Sequence, residues 1–357
     1  MGGPRIRAPG AFLPLIDVWA PFERVAERMP EDALVVIDAR VAALHPRVLR
    51  QCRKRARVVL PLRAGEGAKT LGTLAKVLAA GVGLPRSGAL VAVGGGTIGD
   101  LCTVAAHLLK RGVRLIHVPT TVLAAVDSSV GGKGAVHTAA RGGMAVKNAA
   151  GVFHYPEACW ICPELFDTLP ARALREGATE AWKMVACLAP GLWRSYRRSA
   201  PPLERMIRDA RRLKDEVCRG DPYELKGPRR VLNFGHTFGH VLESLTRFRV
   251  SHGDAVGMGM LCALDVGRVM GVTKEAEEVE QGLMEGPRIL GRKALAAALE
   301  RATVPAVAEL LKADKKAGRA GALRMVLLRR IGDAETHPVD VRTWRPLLNA
   351  WRQGARP

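Results

Sequence analysis

The sequence predicts an α/β protein with a doubly wound parallel-sheet domain over residues 1–165 and a mostly α-helical domain over 166–357. Three observations predict it. In the first half, short continuous apolar runs alternate with helix-length segments, the pattern of strands covered on both faces by crossover helices. A glycine-rich turn, VAVGGGTIGD (91–100), joins one apolar run to a helix. From about residue 165 the apolar period is helical.

ALVVID (33–38), RVVLPL (57–62), ALVAVGGG (89–96) and RLIHVPTT (114–121) read as buried parallel strands. TLGTLAKVLAAG (70–81) and DLCTVAAHLLKRG (100–112) read as crossover helices. Further on, PARALREGATEAWKMVACLA, PLERMIRDARRLKDEV and NFGHTFGHVLESL carry helix-period apolar faces, and alanine-rich helices continue over 295–316. No internal repeat or long low-complexity linker appears. The domain boundary is expected within 156–170, with an active site in the cleft between the domains.

Composition bounds the function. The 357 residues suffice for two domains with separate cores, and the 48% apolar share fits a globular protein. No run of 18 apolar residues occurs, and MGGPRIRAPGAF lacks a secretory apolar stretch, so no membrane association and a cytoplasmic location are expected. Seven scattered cysteines read as reduced thiols, and the lone Cys159-Trp-Ile-Cys162 as buried structural cysteines. The net charge of +21 comes largely from dispersed arginine, as in RKRAR (53–57), WRSYRR (193–198) and DARRLK (209–214). With aromatics at 4%, stacking platforms for nucleic acid are scarce, so solvated arginine and steering of an anionic substrate are the expected reading.

Three residues on predicted helices suggest a metal. Glu180 (LREGATEAWKM), His236 (LNFGHTFGHVLE) and His252 (VSHGDAVGMGM) offer a carboxylate and two imidazoles, a donor set for Zn²⁺ that leaves a coordination position open. His236 and His240 share one helical face, as do Glu180 and Lys183, and such groups are costly to bury unless they converge. GGGTIGD lets backbone N–H groups approach a pyrophosphate at a helix N-terminus, although a plain tight turn explains it equally. Asp38, at a strand end, suits a ribose hydroxyl or a helix cap. PTTVLAAVDSSVGGK (119–133) gathers small polar groups around Lys133, as a cofactor and phosphate cradle would.

These motifs resemble the 3-dehydroquinate synthase family of sugar-phosphate cyclases. GGGTIGD, PTTVLAAVDSSVGGK, KNAAGVFHYP (147–156), LPARALREGATEAWK (169–183), LNFGHTFGH and DKK (314–316) stand in the family's order over roughly 30–335. The resemblance implies a Rossmann-like NAD-binding domain and metal ligands Glu180, His236 and His252, for Zn²⁺ or for Co²⁺, which suits the same donors. It implies NAD contacts from Asp38, Glu66, Lys69, Gly95, Gly96, Thr97, Asp100, Thr120, Thr121, Leu123, Asp127, Ser128, Lys147 and Thr168. It implies a substrate pocket of Asp127, Lys133, Asn148, Lys183, Lys214, Arg229, Asn233, His240 and Lys315 or Lys316. Arg111 matches an arginine that the family presents to phosphate across a dimer interface, so a homodimer is implied.

The implied chemistry is oxidation of a ring hydroxyl, phosphate elimination, return of the hydride and an aldol closure, with NAD⁺ catalytic rather than consumed. Arg229, Lys214 and Asn233 favour the carboxylated substrate 3-deoxy-arabino-heptulosonate 7-phosphate. The chain departs from the family pattern in a longer 134–146 loop, Ala173 in place of Glu, Asp254 in place of Glu, GPR in place of GLR, and about one residue inserted between Lys214 and Arg229. These departures keep an aminodehydroquinate or valiolone-type synthase as the alternative. A metal-dependent polyol or glycerol dehydrogenase is the runner-up of another class, and a basic nucleic-acid-binding protein leaves the motifs unexplained.

Overall fold

The apolar runs of the first half become neighbours in one sheet. In chain order the strands there are β1 (Asp17–Trp19), β2 (Ala33–Asp38), β3 (Val58–Leu62), β4 (Ala89–Gly94), β5 (Arg114–Pro119), β6 (Lys133–Ala139), β7 (Ala145–Phe153) and β8 (Ala158–Ile161). Six of them form a sheet in the order β1-β8-β5-β4-β2-β3, every pair parallel. The computed structural model describes residues 12, 16–139, 145–313 and 323–357, and the chain divides into two units, Met1–Ala173 and Leu174–Pro357.

Strand alternation explains why these runs are apolar throughout. Val35 and Ile37 pack into one layer with Val25, Val41 and Val48, from α1 (Phe22–Ala26), α2 (Ala39–Leu44) and α3 (Pro46–Arg55). Leu34 and Val36 pack into the opposite layer with Leu74 and Leu101, from α4 (Leu71–Gly81) and α5 (Gly96–Leu108). Both faces are covered, so neither set of alternate residues meets water. β3 lies on one side of β2 and β4 on the other, so the strand order reverses there. The carboxyl ends of β2 and β4 therefore flank a crevice of the kind where doubly wound sheets bind ligands.

The crossover helix expected over 100–112 starts earlier, at Gly96, and gives way to a 3-10 turn at Leu109–Arg111. The sequence reading also missed the antiparallel β6–β7 hairpin, which lies against α5 and contributes Val136 to the core.

Among its described residues, the second unit is helical apart from one hairpin. α6 (Ala171–Leu188) enters it, followed by α7 (Pro190–Arg198), α8 (Leu203–Gly220), α9 (His236–Leu245), α10 (His252–Val269), α11 (Ala276–Glu285), α12 (Arg292–Leu299) and α13 (Val304–Ala313). An antiparallel hairpin, β9 (Leu323–Arg330) with β10 (Asp333–Val339), precedes α14 (Val341–Arg352). The mostly helical expectation holds, although the sequence reading did not locate that hairpin. Helix α10 is the axis of this unit, buried from Gly253 to Gly267. Its Asp265 accepts from Arg292 (2.8 and 3.0 Å) and from the Trp351 indole (2.8 Å), which fastens α12 and α14 to it.

All seven cysteines are buried and free. Burial pushes the Cys52 thiol up to about 12 and raises Cys162 as well, so these are packed hydrophobes rather than thiolates. Much of the surface arginine on α8 is paired along the helix, as in Arg208–Glu204, Arg212–Glu216 and Arg219–Asp215. Among the described residues no helix is long and apolar enough to cross a membrane.

Candidate metal centre and nucleotide crevice

In the first unit, Asp38 and Gly94 end neighbouring parallel strands, Ile37 being in register with Val93. The Asp38 carboxylate caps α2 by accepting from the Arg40 N–H at 3.0 Å, so the cap expected for a strand-end Asp is present. Gly95 is the N-cap of α5, whose first N–H groups have no helical acceptor and favour an anion. A Cβ at Gly94 would lie 2.6 Å from Ile98, so the strand can turn into the helix only without one. Thr121 Oγ1 accepts from the Ala124 N–H at 3.1 Å. Thr121 and Ser128 line the glycine turn, within 3.5 and 3.3 Å of where Cβ atoms at Gly95 and Gly96 would stand.

Below this turn lies a charged cluster. Lys69 is buried, pairs with Asp100 at 2.6 Å and donates to Asn148 Oδ1 at 2.8 Å. Burial alone would raise the Glu66 carboxyl, but Lys69, Lys147 and His137 hold it below its usual range. The structure thus brings together Glu66, Lys69, Asp100, Lys147 and Asn148. Lys133 is exposed at the start of β6, Arg111 is exposed in a left-handed turn (φ 61°), and Thr168 bonds His45 at 3.0 Å. Lys315 and Lys316 lie outside the described residues.

In the second unit, Glu180 comes from α6 and His236 and His252 open α9 and α10. Glu180 is fully buried; one carboxylate oxygen pairs with Lys183, one helical turn on. The other, Oε1, lies 3.8 Å from His236 Nε2 and 3.6 Å from His252 Nε2 and has no hydrogen-bond partner. An orphaned buried carboxylate oxygen is costly by itself, and an ion about 2 Å from three such donors would satisfy it. All three ligand atoms lie within 4.8 Å of one another. The residues fit a divalent cation.

The far ring nitrogens support this assignment. His236 Nδ1 meets the Phe234 carbonyl and His252 Nδ1 meets the Glu243 carboxylate, each at 3.3 Å. Such partners fix the tautomer that turns Nε2 toward a metal. His240 stands beside the set, its ring 5.6 Å from that of His236 and 6.4 Å from that of His252.

Glycine lets the helices come close enough. A Cβ at Gly259 on α10 would collide with the Gly235 carbonyl at the start of α9, and one at Gly253 would lie 2.6 Å from the Glu176 Cα of α6. Gly235 itself sits at φ 80°, a left-handed conformation that suits glycine. A two-pronged ion pair from Arg175 to Asp254 (2.9 and 3.2 Å) ties α6 to α10 beside two of the ligands. This pair gives Asp254 a packing role.

Lys214 on α8 and Arg229 on the 3-10 turn Pro228–Asn233 are both buried. Arg229 donates to the Pro222 carbonyl at 2.7 Å, and Asn233 to Glu224 at 3.5 Å. Asp221 accepts from the N–H groups of Leu225, Lys226 and Gly227 (2.8, 3.1 and 3.0 Å), which shapes the loop carrying Arg229. Arg211, one turn before Lys214, is also buried. The sequence reading passed over Glu243, Arg175, Asp221 and Arg211. Glu243 was detectable, because it stands seven residues after His236 and hence on the same face.

A parallel-sheet domain with a glycine-turn crevice, followed by a helical domain with a three-ligand metal set, defines a class of metal- and nucleotide-binding enzymes. Residues 59–176 match the 3-dehydroquinate synthase N-terminal family and 177–317 the 3-dehydroquinate synthase C-terminal family. The chain belongs to the 3-dehydroquinate synthase family, within the sugar-phosphate cyclases. It is 35% identical over 332 residues to a 3-dehydroquinate synthase of Symbiobacterium thermophilum, covering 88% of this chain and 89% of that one. It is also 36% identical over 318 residues to a 2-epi-valiolone synthase of Actinosynnema mirum, covering 84% and 80%. A solved 2-deoxy-scyllo-inosose synthase, complexed with carbaglucose-6-phosphate, NAD⁺ and Co²⁺, superposes with a TM-score of 0.79 at 26% identity, over 95% of this chain and 96% of that one. The 2-epi-5-epi-valiolone synthase of Streptomyces hygroscopicus, with NAD⁺ and Zn²⁺ bound, gives 0.79 and 26% over 96% and 98%.

Proposed function

We propose that the chain is a 3-dehydroquinate synthase, a carbon–oxygen lyase of the shikimate pathway that cyclises 3-deoxy-arabino-heptulosonate 7-phosphate and releases phosphate. It would use NAD⁺ and Zn²⁺, or Co²⁺, as a cytoplasmic homodimer. The carrying observation is the Glu180–His236–His252 set, with Glu180 Oε1 buried and without a hydrogen-bond partner. Glu180, His236 and His252 would hold the ion, which would supply acidification of a ring hydroxyl, and bound NAD⁺ would supply reversible hydride acceptance.

The chain's own residues supply the rest. Lys183 holds one oxygen of Glu180, which leaves the other aimed at the imidazoles. His240, beside the ligands, is placed to relay a proton. Lys214 and Arg229 offer buried cations to a substrate carboxylate, and Lys133, Asn148 and a partner's Arg111 offer donors to phosphate. Asp38 and the N-terminus of α5 would take the ribose and the pyrophosphate.

A valiolone-type cyclase is the second reading, favoured by the equal identity to the Actinosynnema mirum enzyme. The Asp254 departure does not argue for it, because Arg175 accounts for that residue as helix packing. The test offers metal-loaded protein and catalytic NAD⁺ both 3-deoxy-arabino-heptulosonate 7-phosphate and sedoheptulose 7-phosphate. Phosphate released only from the carboxylated sugar, without net NADH, is the expected result. Turnover of the other sugar reassigns the enzyme within the family, and net NADH without phosphate makes it a dehydrogenase.

A further inference from the structure

We infer that His137 is a positioning residue that ties the cofactor-side acid Glu66 to the substrate-side Asn148, so that cofactor binding sets the β6–β7 hairpin. The inference rests on the NAD⁺ reading of Glu66 and Lys69 above.

His137 lies where the β6–β7 register shifts, between Val136 and Thr138. Such a bulge re-aims a side chain out of strict alternation. Its backbone N–H donates to the Lys69 carbonyl at 2.7 Å, and the residue bridges Thr70, so the hairpin sits against the chain leading into α4. The ring then spans two partners. Nδ1 accepts from the Asn148 backbone N–H at 3.1 Å, which places the proton of a neutral ring on Nε2, 3.3 Å from Glu66 Oε1. Lys147 Nζ reaches that same oxygen at 3.3 Å.

Asn148 needs such support. It is not glycine, yet it sits at φ 52° in the left-handed region. His137 holds its main chain, and Lys69 holds its side chain at 2.8 Å. Lysine only donates, so the Asn148 atom facing it is the carbonyl oxygen and the NH₂ group is turned away. Asn148, exposed at this edge, therefore presents a donor, which suits a phosphate or hydroxyl oxygen. Glu66, His137, Lys69 and Asn148 form one hydrogen-bonded unit, with a cofactor acid at one end and a substrate donor at the other.

The test measures NAD⁺ affinity by calorimetry and kcat and KM for the sugar phosphate in the parent, Glu66→Gln, His137→Leu and His137→Gln. His137→Leu is expected to weaken NAD⁺ binding and raise KM about tenfold each, the size of one hydrogen bond to a charged group, with kcat nearly unchanged. His137→Gln keeps one acceptor and one donor and is expected to recover most of both, which loss of packing alone would not allow. Parental NAD⁺ affinity and KM in His137→Leu would overturn the inference, as would a change in only one of them. If Glu66→Gln binds NAD⁺ as the parent does, the cofactor reading of Glu66 fails instead.

Discussion

In the first unit the candidate nucleotide crevice is made largely of main chain: strand ends, a glycine turn and the first N–H groups of α5. In the second unit the candidate metal centre is made of side chains from three helices, among them a fully buried carboxylate. The difference lies in how each tolerates change. A main-chain site persists as long as the sheet folds, and losing one side chain there weakens binding by steps. A buried charged site is coupled, because removing one partner strands the others.

The largest expected effect tests the coupled end. His236→Ala is expected to reduce metal content and activity together, and metal affinity by more than about a hundredfold, since even an outer partner is worth about 10–100-fold. Chelator competition measures the first and phosphate release the second. Retained stoichiometric metal would mean that Glu180 Oε1 faces something other than an ion. Glu243→Gln sharpens the same comparison. It leaves all three ligands but weakens the partner that orients His252, so metal affinity should fall by about tenfold while the fold and NAD⁺ binding persist.

At the other end Asp38→Ala should act by degrees. The cap on α2 is lost, at about 0.5–2 kcal/mol of stability, and NAD⁺ should bind more weakly while metal content stays intact. Thermal unfolding and cofactor titration separate the two effects. A loss of metal in this variant would mean that Asp38 supports more than the crevice and the cap.

The same contrast explains what was legible in the sequence. Strands β2, β4 and β5 were readable because burial on both faces forces continuous apolar runs, the half-buried edge strand β3 because its own run is apolar, and the candidate metal set because Glu and His on apolar helices are conspicuous. The β6–β7 hairpin was not: AVKNAAGVF is poor in β-formers, and its extended form comes from pairing and from packing on α5. β10 carries Pro338, which reads as a break but is tolerated in a two-stranded ribbon with open edges. The supports of the metal centre were hidden for a different reason. Arg175 is an ordinary helix-surface arginine until α10 brings Asp254 against it, and Asp221 is an ordinary acid until the chain folds back over it.

Asp221 gives the smallest effect and the finest test. Some desolvation raises its carboxyl, but the N–H groups of Lys226, Leu225 and Gly227 outweigh this and lower it below the usual value. A depressed carboxyl contributes stability that is full above the unfolded-state value of about 3.9 and disappears as pH falls through the lower folded-state value. The stability difference between the parent and Asp221→Asn should therefore be constant near neutrality and shrink only in strong acid. Because this loop carries Arg229, the same substitution should raise KM for a carboxylated substrate while leaving metal affinity unchanged. A pH-independent stability difference would show that the loop is held by packing rather than by the carboxylate. An unchanged KM would separate the Arg229 loop from substrate binding and leave the helix ligands as the sole determinant of the chemistry at that end.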